Sequence, residues 1–342
     1  MTDQMDLNPL RNFLADHFEV DSKELAISQF KGGFSNLTFL AQIGQKSIVL
    51  RRPPFGEKIS KAHDMKREFS VLQALKKAGY RKIPNPIFFQ PDESIFGAPF
   101  FAMEFVDGVI LRNKFPELKS FSVENFRKLS QDSIDVLIEL HQLELDESGL
   151  GNLGKPEGYV ERQVEGWSQR YFRAKTDEIQ EVEKAIEWLL KNIPKSNQLG
   201  FIHNDYKYDN VVLDRNSPHD IKAILDWEMA TVGNPLMDLG TSLAYWAQSD
   251  DPEILKMFNL THLPGNFSRE EVVDYYFSKS DCNKENMVFY YVFGLIKVGV
   301  IAQQIYKRFK MGHANDPRFA ALIQVVQAAG MHAIKSIETD KI

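Results

Sequence analysis

The stretch Phe201-Ile202-His203-Asn204-Asp205-Tyr206-Lys207-Tyr208-Asp209-Asn210-Val211-Val212-Leu213 holds a segment rich in polar groups between two short apolar runs. Short apolar runs bounded by turn formers read as buried strands, so a polar loop between them costs stability unless its groups are used. A third apolar run, Ala223-Ile224-Leu225, ends in Asp226-Trp227-Glu228, with Asp226 sixteen residues beyond Asn210. These spacings place Asp205, Asn210 and Asp226 at adjacent strand ends.

Phosphoryl transfer from ATP needs such an inventory: one carboxylate to orient the acceptor hydroxyl, and a carboxylate with an amide oxygen to hold the magnesium that neutralises the phosphates. Taken singly, Asp205 and Asp226 also fit turn or capping carboxylates, which are common where strands end. As a set, the Asp-x4-Asn spacing resembles the catalytic loop of protein kinases, and Asp226 resembles the metal-binding aspartate of their Asp-Phe-Gly motif. That resemblance implies Asp205 as the catalytic base and Asn210 and Asp226 as magnesium ligands. Lys207, two residues after Asp205, stands where many protein kinases place a lysine that approaches the transferred phosphate. His203 reads as a buried histidine bracing the loop. The chain contains no Gly-x4-Gly-Lys-Ser/Thr, so a P-loop mechanism is excluded.

Upstream, from about Leu25 to Phe105, the pattern is strand-like. Apolar alternation in Leu37-Thr38-Phe39-Leu40-Ala41-Gln42-Ile43, a turn at Gly44-Gln45, then Ser47-Ile48-Val49-Leu50 predict a β-hairpin. One helix is expected between about Ser60 and Ala78, with Gly79 as its stop. Gly32-Gly33-Phe34-Ser35-Asn36 joins two strands, and glycines there let backbone N–H groups of Gly32, Gly33, Ser35 and Asn36 approach phosphates. The second hairpin strand ends in Arg51-Arg52, where kinases carry a phosphate-pairing lysine; Glu68 on the expected helix is the natural partner of Arg51. Met103-Glu104-Phe105-Val106 would be the hinge that meets adenine through Glu104 and Val106.

Beyond Gly108 the balance shifts to helices, at about 122–143, 157–173, 177–192, 269–278, 286–309 and 317–336, with strands near 199–202, 211–214 and 221–225. The expected fold is α/β (α+β), bilobal and protein kinase-like. A small antiparallel-sheet N-terminal lobe would span 1–105 and a larger helical C-terminal lobe 106–342, with ATP in the cleft.

Composition narrows the function classes. The 342 residues are 43% hydrophobic and 26% charged, and 41 Lys and Arg against 47 Asp and Glu give a net charge of -6. No overall basic field attracts nucleic acid or an anionic membrane surface. The single cysteine, Cys282, excludes an intramolecular disulfide and any multi-cysteine metal site. The N-terminal residues lack a signal-peptide pattern, and a cytoplasmic location is expected. The apolar stretch Phe289–Ala302 reads as too short to span a bilayer and carries Lys297, which suits a buried helix.

The whole chain resembles the aminoglycoside phosphotransferase family, particularly the branch associated with acyl-CoA dehydrogenases. The likeness rests on Gly32–Thr38, Leu50-Arg51-Arg52-Pro53-Pro54, Gly151–Tyr159 and Asp226-Trp227-Glu228. It implies an ATP- and Mg2+-dependent transfer to a hydroxyl of a small-molecule acceptor, and for this branch a hydroxyacyl-CoA such as a 4-hydroxyacyl-CoA. By the same resemblance Asp238 braces the catalytic loop from below. Arg162, Arg170 and Arg173, with Trp167 and Tyr171, either grip CoA phosphates or form a solvated face. Asp250, Asp251 and Glu253 would supply an acidic pocket for an aminoglycoside. A choline-like alcohol, a sugar and a nucleotide-binding pseudokinase are the competing readings.

Overall fold

The computed structural model describes residues 6–30, 36–54, 64–112, 121–282, 284, 286–314 and 316–342. Gly32, Gly33 and Ser35, and the expected helix start near Ser60, lie outside the described residues. The chain divides into two compact units: residues up to Asp107 together with Lys222–Met229, and Gly108–Ile221 together with the residues from Ala230 onward.

In the first unit, helix α1 (Asn8–Phe18) precedes strands β1 (Leu25–Gln29), β2 (Leu37–Ile43) and β3 (Lys46–Arg52). Helix α2 (Met65–Lys77), strand β4 (Pro86–Gln90), the short helix α3 (Glu93–Phe96) and strand β5 (Phe100–Glu104) follow. The strands form one antiparallel sheet in the order β1-β2-β3-β5-β4. The predicted hairpin forms with Leu37 opposite Arg52 and Ile43 opposite Lys46, closing on Gly44 at φ 56°, a conformation glycine adopts without strain.

Strand alternation decides what Arg51 and Arg52 can do. Ile48 and Leu50 join Phe39, Ala41, Ile43, Phe96 and Phe100 in a core capped by Leu10 and Leu14 of α1. Arg52 shares that face; its Nη1 donates to the Phe96 carbonyl at 2.6 Å and its guanidinium lies over the Phe96 ring. Arg51 faces the other way. On that side α2 packs Phe69 against Phe101 of β5, and Asp64 caps the helix by accepting from Arg67 N at 3.0 Å.

Lys222–Met229 is tied into this unit. Ile224 N donates to the Lys82 carbonyl at 2.8 Å, Trp227 packs edge-on against Tyr80, and Arg67 Nη1 donates to the Glu228 carbonyl at 3.2 Å.

The second unit contains α4 (Val123–His141), α5 (Tyr159–Ala174), α6 (Gln180–Lys191), β6 (Gly200–Ile202), β7 (Val211–Leu213) and β9 (Thr231–Gly233), with β8 (Ile221–Ile224) carrying the chain into the first unit. Helices α7 (Pro235–Tyr245), α8 (Glu253–Lys256), α9 (Arg269–Lys279), α10 (Met287–Lys310) and α11 (Leu322–Thr339) complete it. Helix α10 is the centre, packed by α5, α6, α7 and α11. Its crossing with α7 is glycine against glycine: a Cβ on Gly294 would lie 2.1 Å from the Gly240 carbonyl oxygen, and one on Gly240 2.1 Å from that of Tyr290. This close approach brings α7 and α10 together beneath the polar loop.

Helix α10, 24 residues long, lies where a helix was expected at 286–309; it extends beyond the apolar stretch Phe289–Ala302, and by length and composition alone it could cross a membrane. Most of its apolar window is buried by neighbouring helices, as in a core helix. Helices α1 and α7 were not expected from periodicity. Nearly every residue of α7 is buried, so it shows no polar face to set a helical period, although Asn234 and Pro235 form a normal helix start.

Candidate active site

The polar loop leaves β6 at His203 and ends in a 3-10 turn, Tyr208–Asn210, before β7. Asp238, fully buried on α7, holds its start: Oδ2 accepts from His203 N and Oδ1 from Asn204 N, both at 2.7 Å. His141 Nε2 lies 3.2 Å from Asp238 Oδ2 and its Nδ1 2.8 Å from the Tyr276 hydroxyl. Burial alone would raise Asp238, but the hydrogen bond and charge of His141 and the N–H of His203 hold it below the usual carboxylate range. Asn204 adopts φ 68°, a left-handed turn that redirects the chain into Asp205.

Asp205 is gripped from two sides. Lys207 Nζ donates to its carboxylate oxygens at 2.9 and 2.8 Å, and Asn210 Nδ2 donates to its carbonyl at 2.9 Å and to Oδ2 at 3.0 Å. Its own N–H donates to His203 Nδ1 at 3.2 Å, so the fully buried imidazole braces the loop. The Lys207 ammonium also lies 4.5 Å from the centre of the Tyr245 ring. The neighbouring Asp209 is raised by burial, opposed by Lys207 and Arg112.

In the first unit Arg51 gathers acids. Its Nη1 meets Glu68 Oε1 at 2.8 Å, and its Nη2 meets Asp226 Oδ1 and, at 3.3 Å, Glu228 Oε2. Asn36 Nδ2 donates to the same Glu228 oxygen at 2.8 Å. Burial pushes Glu68 up to about 8; Arg51 opposes the shift while Asp226 and Glu228 assist it. Asp226 takes φ 68°, the left-handed region again.

Other expected positions have local partners. Glu104 closes β5, but its main-chain N–H donates to the Asn85 carbonyl at 2.9 Å and its Oε2 accepts from Asn85 Nδ2 at 2.6 Å. Asp251 is not an open acidic wall: it is buried, ion-paired to Arg269, and accepts from Gln248 N at 2.8 Å. Glu253 is exposed and pairs with Lys256. On α5, Arg170 stacks over Trp167 at 4.5 Å, Arg162 donates to the Lys155 carbonyl, and Arg173 Nε donates to the Gln169 carbonyl at 3.2 Å.

Glu228, Tyr245, His141 and Lys297 were not singled out as site residues from sequence. Glu228 stood inside the Asp-Trp-Glu motif, and Lys297 was a lone cation in an apolar run; His141 and Tyr245 sit in ordinary helical patterns with no local signal.

Residues 26–271 match the phosphotransferase enzyme family. The chain belongs to that family. It has a kinase-like fold. It is similar to acyl-CoA dehydrogenase family member 11 of Homo sapiens, 30% identical over 97% of this chain and 43% of that protein. The chain spans less than half the length of the curated relatives it matches. Among solved structures it resembles a candidate aminoglycoside phosphotransferase of Ralstonia eutropha, with TM-score 0.78, 26% identity and coverage of 96% of this chain and 98% of that one. A ternary complex of aminoglycoside phosphotransferase APH(4)-Ia with ADP and hygromycin B shares the fold at TM-score 0.63 and 14% identity, covering 96% and 99% of the two chains.

Proposed function

We propose that this phosphotransferase moves the γ-phosphoryl group of ATP to a hydroxyl of a small molecule, and that the acceptor is a hydroxyacyl-CoA, a 4-hydroxyacyl-CoA in the first instance. The observation that carries the reading is the immobilised Asp205 carboxylate, held by Lys207 and Asn210 on a loop whose start is clamped by Asp238. A fixed carboxylate beside a lysine can orient an alcohol and take its proton while the ammonium faces developing charge.

Asn210 would offer an amide oxygen and Asp226 a carboxylate, both hard oxygen donors of the kind magnesium takes. Asn210 and Asp226 would hold the ion, which when bound offsets negative charge on the phosphates. Arg51 and Lys207 would meet phosphate oxygens, and the loop Gly32, Gly33, Ser35 and Asn36 would contribute main-chain N–H groups. The Glu104 N–H is taken by the Asn85 carbonyl, so adenine contact in the hinge would use the Glu104 carbonyl and the main chain of Val106.

ADP in the APH(4)-Ia complex supports a nucleotide donor. Likeness to acyl-CoA dehydrogenase family members supports a CoA-linked acceptor, and Arg170 stacked on Trp167 offers a cation for an anionic one. The engagement of Asp251 by Arg269 weighs against a polycationic aminoglycoside. The protein is expected to act in the cytoplasm.

The test is magnesium-dependent ATP consumption against 4- and 3-hydroxyacyl-CoAs, free hydroxy acids, choline, sugars and aminoglycosides, with mass spectrometry of the acceptor. Asp205→Asn should bind nucleotide like the parent and lose about 100-fold or more of its turnover. Phosphorylation of another alcohol alone would sink the CoA assignment, and an active Asp205→Asn would sink the role of Asp205. Nucleotide binding without turnover on any acceptor would favour the pseudokinase.

A further inference from the structure

We propose that Lys297 is a positioning residue for phosphoryl transfer: from the core helix α10 its ammonium holds the Asn204 carbonyl and thereby fixes the peptide plane that presents Asp205. The inference rests on the reading of Asp205 as the carboxylate that orients the acceptor.

Lys297 is 2% exposed, surrounded along α10 by buried Phe293, Leu295, Ile296, Val298 and Val300. A lysine there is costly to desolvate relative to an apolar residue unless its charge is used. Its Nζ donates to the Asn204 carbonyl oxygen at 2.7 Å and approaches Asn204 Oδ1 at 3.3 Å. The peptide joining Asn204 to Asp205 is therefore held at both ends, its C=O by Lys297 and its N–H by His203 Nδ1 at 3.2 Å. A planar peptide so held cannot rotate without breaking both contacts.

The hold matters because Asn204 is a non-glycine residue at φ 68°, a conformation that needs support from its surroundings. Asp238 takes its N–H, the Tyr159 hydroxyl meets its side-chain amide at 3.2 Å, and Lys297 takes its carbonyl. Without the third contact the carbonyl loses its cation, and the plane from which the Asp205 side chain leaves keeps the His203 contact at its other end but not this one.

The charged groups facing the ammonium are Asp238 on α7, Asp205 and Lys207 in the loop and Arg170 on α5, with the Trp167 ring 5.7 Å away. Burial lowers Lys297 to about 8, opposed by Asp238 and Asp205 and helped by Lys207 and Arg170. The ammonium that holds the carbonyl is thus lost within an accessible pH range.

The experiment measures kcat, and KM for ATP, between pH 6.5 and 10 for the parent, Lys297→Met, Lys297→Gln and Asp205→Asn. The acceptor is a 4-hydroxyacyl-CoA or whichever panel alcohol turns over. Lys297→Met should lose about tenfold to a hundredfold in kcat, the scale of a slight misplacement at a reacting centre, with KM for ATP within about twofold of the parent. Lys297→Gln, which keeps a donor, should fall between the two. The parent should show a falling limb near pH 8 that Lys297→Met lacks. Parental kcat in Lys297→Met beside an inactive Asp205→Asn overturns the inference and leaves the Asp205 reading intact; an active Asp205→Asn overturns both. If Lys297→Met does not fold, Lys297→Gln and the parent profile decide, and a parent kcat level from pH 7 to pH 10 overturns the proposal.

Discussion

Arg51 and Glu68 meet at 2.8 Å with both side chains buried, joining the end of β3 to the first turn of α2. The guanidinium also faces Asp226 and Glu228, so removing it takes a shared counter-charge from three acids. Arg51→Met is expected to cost roughly 3–5 kcal/mol in denaturant unfolding, whereas Glu68→Gln, which keeps shape and hydrogen bonding, should cost less than about 1 kcal/mol. The sign with pH follows from Glu68 being raised from 4.5 to about 8. The folded state keeps a proton that the unfolded state releases, so this group lowers stability as pH climbs from about 4.5 to about 8. Glu68→Gln should remove that slope.

Asp238 accepts from two successive main-chain N–H groups. Asp238→Asn turns one acceptor into a donor facing a donor, so the loop start should lose its hold at a cost of about 3 kcal/mol. Faster amide hydrogen exchange at His203 and Asn204, with exchange in α1 unchanged, is the expected record. The depressed carboxylate contributes stability above its unfolded pKa, lost as pH falls through its folded one.

The glycine crossing of α7 and α10 leaves no room for a methyl group. Gly294→Ala should therefore destabilise the fold by about 1–3 kcal/mol or more through overpacking, and so lower the melting temperature. A melting temperature equal to the parent's would show that α10 can shift without consequence.

Asp251 pairs with Arg269 inside the second unit. Asp251→Ala should cost roughly 3–5 kcal/mol by leaving Arg269 buried and uncompensated, while the ranking of acceptors in the ATP-consumption panel stays unchanged. A changed ranking would return Asp251 to the acceptor site.

What the sequence determined by itself was local in kind. Strand alternation in Leu37–Leu50, the turn at Gly44 and the polar loop around Asp205 were legible because their signals repeat over a few residues. The kinase-like fold followed from them, and the pairing of Arg51 with Glu68 followed from charge logic. Helix α7 was not legible, because a helix buried all round has no amphipathic period. Tertiary structure alone decided that Glu228 joins Asn36 and Arg51, that Asp251 is neutralised by Arg269, and that Lys297 reaches Asn204 across 93 residues of chain. Such contacts depend on packing between distant segments, and residue type at one position does not say which of two buried charges it will meet.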